Sequence, residues 1–195
     1  MSRTLVFGFG LLAALSFLST SCKKDKDDTT PEARTVDFLT TASPMGPFSL
    51  FQFESGASLD ASQQQTDKWD FGMRLTTMIV NSGSSGPGNA GVIILTGVFD
   101  EITEAPESGY AVDAAGNLAV KDASWYDYNP VTRIFTPKAG IVFVFKTSNG
   151  KYAKMEMISA TPTDDNGAPV TPPTQPTKIK YSFRYVYQPN GTRKF

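Results

Sequence analysis

Two overlapping glycine patterns between residues 83 and 91 are the first feature of the chain with a recognisable chemistry. Residues 86–91, GPGNAG, fit the pattern G-x-G-x-x-G, and residues 83–88 fit the first half of a phosphate-binding P-loop. Such glycines bind phosphate when they lead into the N-terminus of a helix. Here the apolar, mostly β-branched residues VIIL follow directly and favour a strand, while Pro87 removes a backbone N–H. The pattern therefore predicts a connection between two core strands and not a nucleotide site.

The glycines remain candidates for contact with another molecule. A residue without a side chain lets the backbone approach a partner closely. On this ground we expect ligand-binding positions at Gly83, Gly86 and Gly88.

The residues needed for the common kinds of catalysis are scarce. The chain contains no histidine and one cysteine, which excludes Ser-His-Asp and Cys-His catalysis and histidine metal sites. Carboxylate groups occur at Asp67 and Asp70 and again at Asp100, Glu101 and Glu104. Adjacent acids at a strand end are typical of solvated turns, whereas glycoside hydrolysis needs two carboxylates facing each other across a cleft. We predict that the protein is not an enzyme.

The single cysteine follows a secretory signal. Arg3 supplies a positive charge, residues 5–18 form an apolar run too short to span a membrane, and small residues precede Cys22. This arrangement resembles a bacterial lipobox and predicts that residues 1–21 are a signal peptide and that Cys22 is acylated, for example with palmitate. Two acyl chains would anchor the protein stably in a membrane.

Residues 22–35 are predicted to form a flexible tether, because the stretch KKDKDD directly after Cys22 has no apolar residue to pack. A charged stretch in this position resembles the surface-export signal of Bacteroidetes lipoproteins. We expect an outer-membrane lipoprotein exposed at the cell surface, with the periplasmic face of that membrane as the alternative. Cleavage before Cys22 leaves 17 basic and 19 acidic residues, and this near-neutral charge argues against nucleic acid as a partner.

Residues 36–195 are predicted to form one mostly β, antiparallel domain. Residues 178–187 alternate cleanly, which places Ile179 and the aromatic residues that follow it at every second position on one face. Asn149-Gly150 predicts a hairpin, and the proline-rich residues 161–177 predict an exposed loop. Further strands are expected at residues 48–53, 69–80, 91–99 and 141–146, the last two of these buried on both faces.

Several phrases resemble, in order, the HmuY-like lipoproteins of Bacteroidetes. They are KWDFGMRLTTMIVNSGSSGPGNAGV, APESGYAVD, WYDYNP, FVFKTSNGKYAKMEM and YSFRYVYQPNG. The resemblance implies a mostly antiparallel β fold on a lipid anchor. The best-known relatives are haemophores that capture haem at the cell surface and pass it to an outer-membrane receptor.

The resemblance also implies where iron would be ligated. The relatives use histidine or methionine, one on an insertion that is missing between residues 114 and 124, the other near WYDYNP. Here that turn offers Tyr126, Tyr128 and Asn129, and a tyrosine can ligate haem iron as a phenolate. A methionine ligand would have to come from position 73, 78, 155 or 157, all of which fall in predicted strands. Met155 and Met157 share a face with Ala153, which favours a role in filling the core.

Two functions remain open from the sequence. The first is a non-enzymatic binding protein for haem or a related hydrophobic ligand. The second is an accessory or structural surface lipoprotein that binds a protein or a glycan and no haem, through its aromatic residues and Gly/Pro loops.

Overall fold

The computed structural model describes residues 30–171 and 174–195. Two short 3-10 turns, Ala61–Gln65 and Phe99–Glu101, are the helical segments of this part. The strands are β1 (Arg34–Thr41), β2 (Ser49–Gln52), β3 (Ala57–Leu59), β4 (Phe71–Arg74), β5 (Thr77–Val80), β6 (Gly91–Thr96), β7 (Tyr126–Asn129), β8 (Ile134–Pro137), β9 (Ile141–Lys146), β10 (Tyr152–Thr163) and β11 (Lys178–Gln188). The predicted signal peptide and Cys22 lie outside the described residues.

The strands form two larger sheets and one hairpin. The first sheet has the order β1-β11-β10-β9-β6, the second β3-β2-β4-β5, and β7 pairs with β8. All strand pairings within them are antiparallel. The predicted mostly β, antiparallel fold is confirmed.

One aromatic core fills the space between the two sheets. Phe38, Phe51, Phe53, Phe71 and Phe183 are fully buried, and neighbouring ring centroids among them lie between 5.1 and 6.2 Å apart, many in edge-to-face contact. Such contacts add to the stabilisation from area burial alone. The alternation predicted for β11 is confirmed, because its odd-numbered residues from Ile179 to Tyr187 all belong to this core.

The outer faces of the sheets are covered in part by smaller clusters. Phe99 and Ala105, from the segment after β6, pack with Val142, Val144 and Val186 on the outer face of the first sheet. Lys154 of β10 lies on the same face, and its ammonium group donates hydrogen bonds to the carbonyl oxygens of Phe99 and Ile102. The segment is thereby fixed to β10 at its turn.

The hairpin at Asn149-Gly150 is confirmed. The Gly150 N–H donates to the Thr147 carbonyl at 2.9 Å and Gly150 has a φ of 77°, the left-handed conformation that an Asn-Gly turn supplies. The hairpin joins β9 to β10 in the first sheet.

Three predicted boundaries are wrong. Residues 69–80 do not form one strand, because the chain turns at Leu75 and Thr76 and pairs β4 with β5. The strand expected at residues 91–99 ends at Thr96 and is buried on both faces only at its start. The predicted loop at residues 161–177 begins later, since β10 continues to Thr163.

No helix of the described residues is long and apolar enough to cross a membrane.

Candidate functional site

A pocket lies between the β7–β8 hairpin, the connection from β10 to β11 and the start of β11. Its volume is about 240 Å³. Its apolar walls include Phe135 from the hairpin, Pro162 from β10 and Ile179 from β11, and Thr171 and Gln175 add polar groups. A concave, mostly apolar cavity with a few polar groups is the usual form of a small-molecule site.

Tyr128 forms part of this pocket. Its ring stacks on Phe135, its cross-strand partner, with centroids 4.8 Å apart, and 48% of the residue remains exposed. A half-exposed aromatic pair presents a flat apolar surface together with a free phenol group. Of the sequence-predicted site residues, Tyr128 is the one that lines the pocket.

Tyr126 has a different environment, although it lies only two residues away. It is buried, its hydroxyl donates to Asp122 at 2.6 Å, and its ring contacts Trp125 edge-on. Burial and the bond to Asp122 raise the pKa of the Tyr126 phenol. The phenolate form that iron would need is therefore disfavoured at this position.

Asn129 organises the tip of the hairpin. Its side-chain oxygen accepts hydrogen bonds from the N–H groups of Val131 and Thr132, and its carbonyl accepts one from Arg133 at 2.7 Å. These bonds hold Arg133 at a φ of 57°, in the left-handed region that costs energy for residues other than glycine.

Leu75 also lines the pocket, and its backbone is in the same left-handed region, at a φ of 49°. Its N–H donates to the Thr41 carbonyl, and its own carbonyl accepts from the Tyr181 hydroxyl at 2.7 Å. Three non-glycine residues of the described part have positive φ, and two of them line this pocket. Backbone strain of this kind clusters at functional sites.

The glycine loop lies elsewhere and is filled by the protein's own side chains. A Cβ on Gly86 would lie 2.2 Å from Asn81 Oδ1, and one on Gly88 would lie 2.3 Å from Ser148 Oγ. Gly83 has a φ of 56°, and a Cβ there would meet the Asp113 carbonyl. The close approach expected of these glycines is therefore made within the chain, and none of the three lines the pocket.

The remaining candidates for chemistry have structural roles. All four strand methionines are buried in the aromatic core, as expected for Met155 and Met157. Asp100 pairs with Arg184, and Glu104 with Arg193 at 2.9 Å. Within residues 30–171 and 174–195, no group of three or more histidine, cysteine or acidic residues is placed to hold a metal ion.

Most of the pocket could not be found from the sequence. Phe135, Ile179 and Leu75 look like ordinary strand residues, and they meet only because distant segments pack together. Two sequence features do point to the pocket. The WYDYNP turn contains Tyr128, and the proline-rich connection contains Pro176, which also lines the pocket.

Comparison with known proteins places the chain in a family. A family profile described as HmuY protein matches residues 48–173, almost two thirds of the chain. The chain belongs to the HmuY family. No curated protein sequence matches it.

The chain is also similar to solved structures. The chain is similar to the apo HmuY analogue of Tannerella forsythia, with 14% identity and a TM-score of 0.51 over 82% of this chain and 99% of that one. It is also similar to apo PinO of Porphyromonas gingivitis, with 16% identity and a TM-score of 0.48 over 80% of this chain and 98% of that one. At such identity the first likeness demonstrates the HmuY-type fold and nothing finer.

Proposed function

We propose that this HmuY-family protein is a non-enzymatic binding protein that holds haem or a related flat hydrophobic compound in the pocket beside the β7–β8 hairpin. The observation that carries the proposal is the stacked pair of Tyr128 and Phe135 on the wall of an apolar cavity. Flat aromatic ligands gain from stacking on such a surface as well as from area burial.

The two strained residues support the same site. Leu75 and Arg133 both line the pocket with backbones that their side chains disfavour. The carbonyls of Thr41 and Asn129 accept hydrogen bonds from the N–H groups of Leu75 and Arg133, and the Tyr181 hydroxyl donates to the Leu75 carbonyl; these bonds maintain the two conformations. A cavity that the fold stabilises at such a cost is a better candidate than an accidental surface groove.

For haem, the described residues offer one suitable iron ligand at the pocket. Tyr128 carries a half-exposed phenol there, whereas Tyr126 is bonded to Asp122 and the strand methionines are in the core. Tyrosine ligation occurs in known haem proteins. We infer that any haem bound here has Tyr128 as its protein ligand.

A haemin titration of residues 30–195 tests this proposal. We expect a Soret shift when micromolar haemin is added to the wild-type domain. The Tyr128→Phe variant should bind haemin about tenfold more weakly and give an altered spectrum. The Tyr126→Phe control should behave like wild type. A Thr174→Trp variant, which fills the pocket from its rim, should abolish the shift.

Absence of a Soret shift in the wild-type domain would remove haem as cargo. Equal spectra for wild type and Tyr128→Phe would remove Tyr128 as the ligand. In the first case, the alternative of an accessory lipoprotein that binds a protein or glycan becomes the better explanation.

We also propose that the domain is held at the outer membrane through acylated Cys22 and faces the outside of the cell. The support is the signal-like N-terminal segment, the single cysteine and the charged residues behind it. An outer-membrane receptor that accepts the cargo is part of this proposal.

A further inference from the structure

The described lining of the pocket carries positive charge only. Among the described residues that line it, Arg133 is the one cation and none is a carboxylate; the polar remainder consists of the Tyr128 phenol, three threonines and Gln175. The two residues of the nearby connection that the structure does not describe are both prolines. A ligand seated here therefore meets a positive charge with no acid beside it.

Arg133 is also free of a protein partner in the described part of the chain. The ion pairs found there involve Lys138, Lys180, Arg184 and Arg193. A guanidinium group without a carboxylate can bind one in a bidentate manner, which lysine cannot match.

The backbone conformation at Arg133 would suit glycine better than arginine. In a hairpin turn of this kind, glycine is the residue that suits a φ of 57°. The local structure therefore does not call for arginine, and the side chain is the feature that needs an explanation.

We propose that the pocket takes an amphipathic carboxylate, with its apolar body against Phe135 and Ile179 and its carboxylate on the Arg133 guanidinium. This inference rests on the proposed function, since it names the ligand class of the same pocket. Other polar groups line the pocket too: the hydroxyls of Thr132, Thr171 and Thr174 and the amide of Gln175. They can donate hydrogen bonds to the lone pairs of the carboxylate oxygens that Arg133 leaves free.

Two probes that differ only in charge test the proposal. Pyrenebutyrate and pyrenebutanol share a flat apolar body, and their fluorescence reports binding to residues 30–195. We expect the wild-type domain to bind the acid about fivefold more tightly than the alcohol at low salt, with the preference decreasing as salt is added, because Arg133 is exposed.

Four variants identify the group responsible. Arg133→Gln and Arg133→Gly should bind the two probes with equal affinity, and Arg133→Lys should keep part of the preference. Lys146→Gln makes the same change in net charge at an exposed residue away from the pocket and should behave like wild type. Arg133→Gly should melt at or above the wild-type temperature, since it relieves the turn, so a loss of preference cannot be attributed to unfolding.

The outcomes separate the two proposals. Equal binding of both probes by the wild type overturns the carboxylate inference and leaves the pocket as a binding site. A preference that survives in Arg133→Gln also overturns it. If neither probe binds and haemin does not bind, the proposed function fails together with the inference.

Discussion

At the scale of single residues, Asp70 connects three parts of the chain. Its two carboxylate oxygens accept hydrogen bonds from the N–H groups of Phe53 and Ser148, each at 2.8 Å, and so tie the end of β2 to the β9–β10 turn. The residue is almost fully buried, and burial raises its pKa from the ordinary value of 3.8 to about 6. The preceding Trp69 is also buried, and its indole N–H donates to the Gln64 carbonyl.

The raised pKa predicts an unusual pH dependence. Between about pH 4 and 6 the folded protein binds more protons at Asp70 than the unfolded chain does, so this group makes the unfolding free energy fall as pH rises through that window. Relative to an Asp70→Asn variant, which lacks the titration, wild type should lose about 2 kcal/mol between pH 4 and 7. Denaturant unfolding at both pH values measures this, with the exposed Asp67→Asn as control. Parallel pH profiles for wild type and Asp70→Asn would contradict the prediction.

At the scale of elements, the sequence predicts strands better than the turns and pockets between them. The alternation of β11 and the Asn149-Gly150 hairpin are local patterns, and both are confirmed. The turn at Leu75 has no glycine, proline or asparagine, because its left-handed backbone is stabilised by Thr41 and Tyr181 from other strands. The pocket could not be predicted from the sequence for the same reason, since its walls come from segments that are distant in the chain. Of its lining residues, the sequence predicts only Tyr128 as a ligand-binding position.

The glycine loop gives an element-level prediction. The Asn81 side chain lies at its centre, donating to the carbonyls of Thr66 and Trp69 and accepting from the Gly88 N–H. A Cβ on Gly86 would approach both Asn81 and the Trp69 ring, at 2.2 and 2.6 Å. We expect Gly86→Ala to lower the unfolding free energy by about 1–3 kcal/mol through overpacking.

Gly97→Ala is the matched control for this change. Its Cβ would have one neighbour, a flexible side-chain atom of Ile102 at 3.9 Å, so its effect should be near zero. Denaturant unfolding compares the two variants, and equal stability would mean that the loop is loose enough to accept a side chain.

At the scale of the whole molecule, the pocket and the N-terminal end of the domain lie at opposite ends of β1. Arg34 pairs with Tyr185 near the end of β11, whereas Thr41 pairs with Lys178 at its start, next to pocket residues Ala42 and Ile179. The seven residue steps from Arg34 to Thr41 separate the ends by about 23 Å. A chain anchored through Cys22 would therefore carry its pocket on the side away from the membrane, where cargo and a receptor can reach it.

This arrangement can be tested with single thiols, because Cys22 is the only cysteine of the sequence and acylation would consume it. Val131, at the hairpin tip beside the pocket, is 87% exposed, and Thr35 is an exposed residue at the other end of β1. In a Bacteroidetes host, a membrane-impermeant maleimide should label Val131→Cys and Thr35→Cys on intact cells. Labelling only after the outer membrane is permeabilised would place the domain on the periplasmic face.

The same two thiols report the orientation of the purified, acylated protein on vesicles. A fluorophore at position 35 should be quenched more strongly by a lipid-borne quencher than one at position 131, because the chain connects residue 35 directly to the anchor. Replacing Cys22 by serine should release the protein from the vesicles and remove quenching at both sites. Stronger quenching at position 131 would mean that the pocket faces the membrane, and its ligand would then have to come from the lipid.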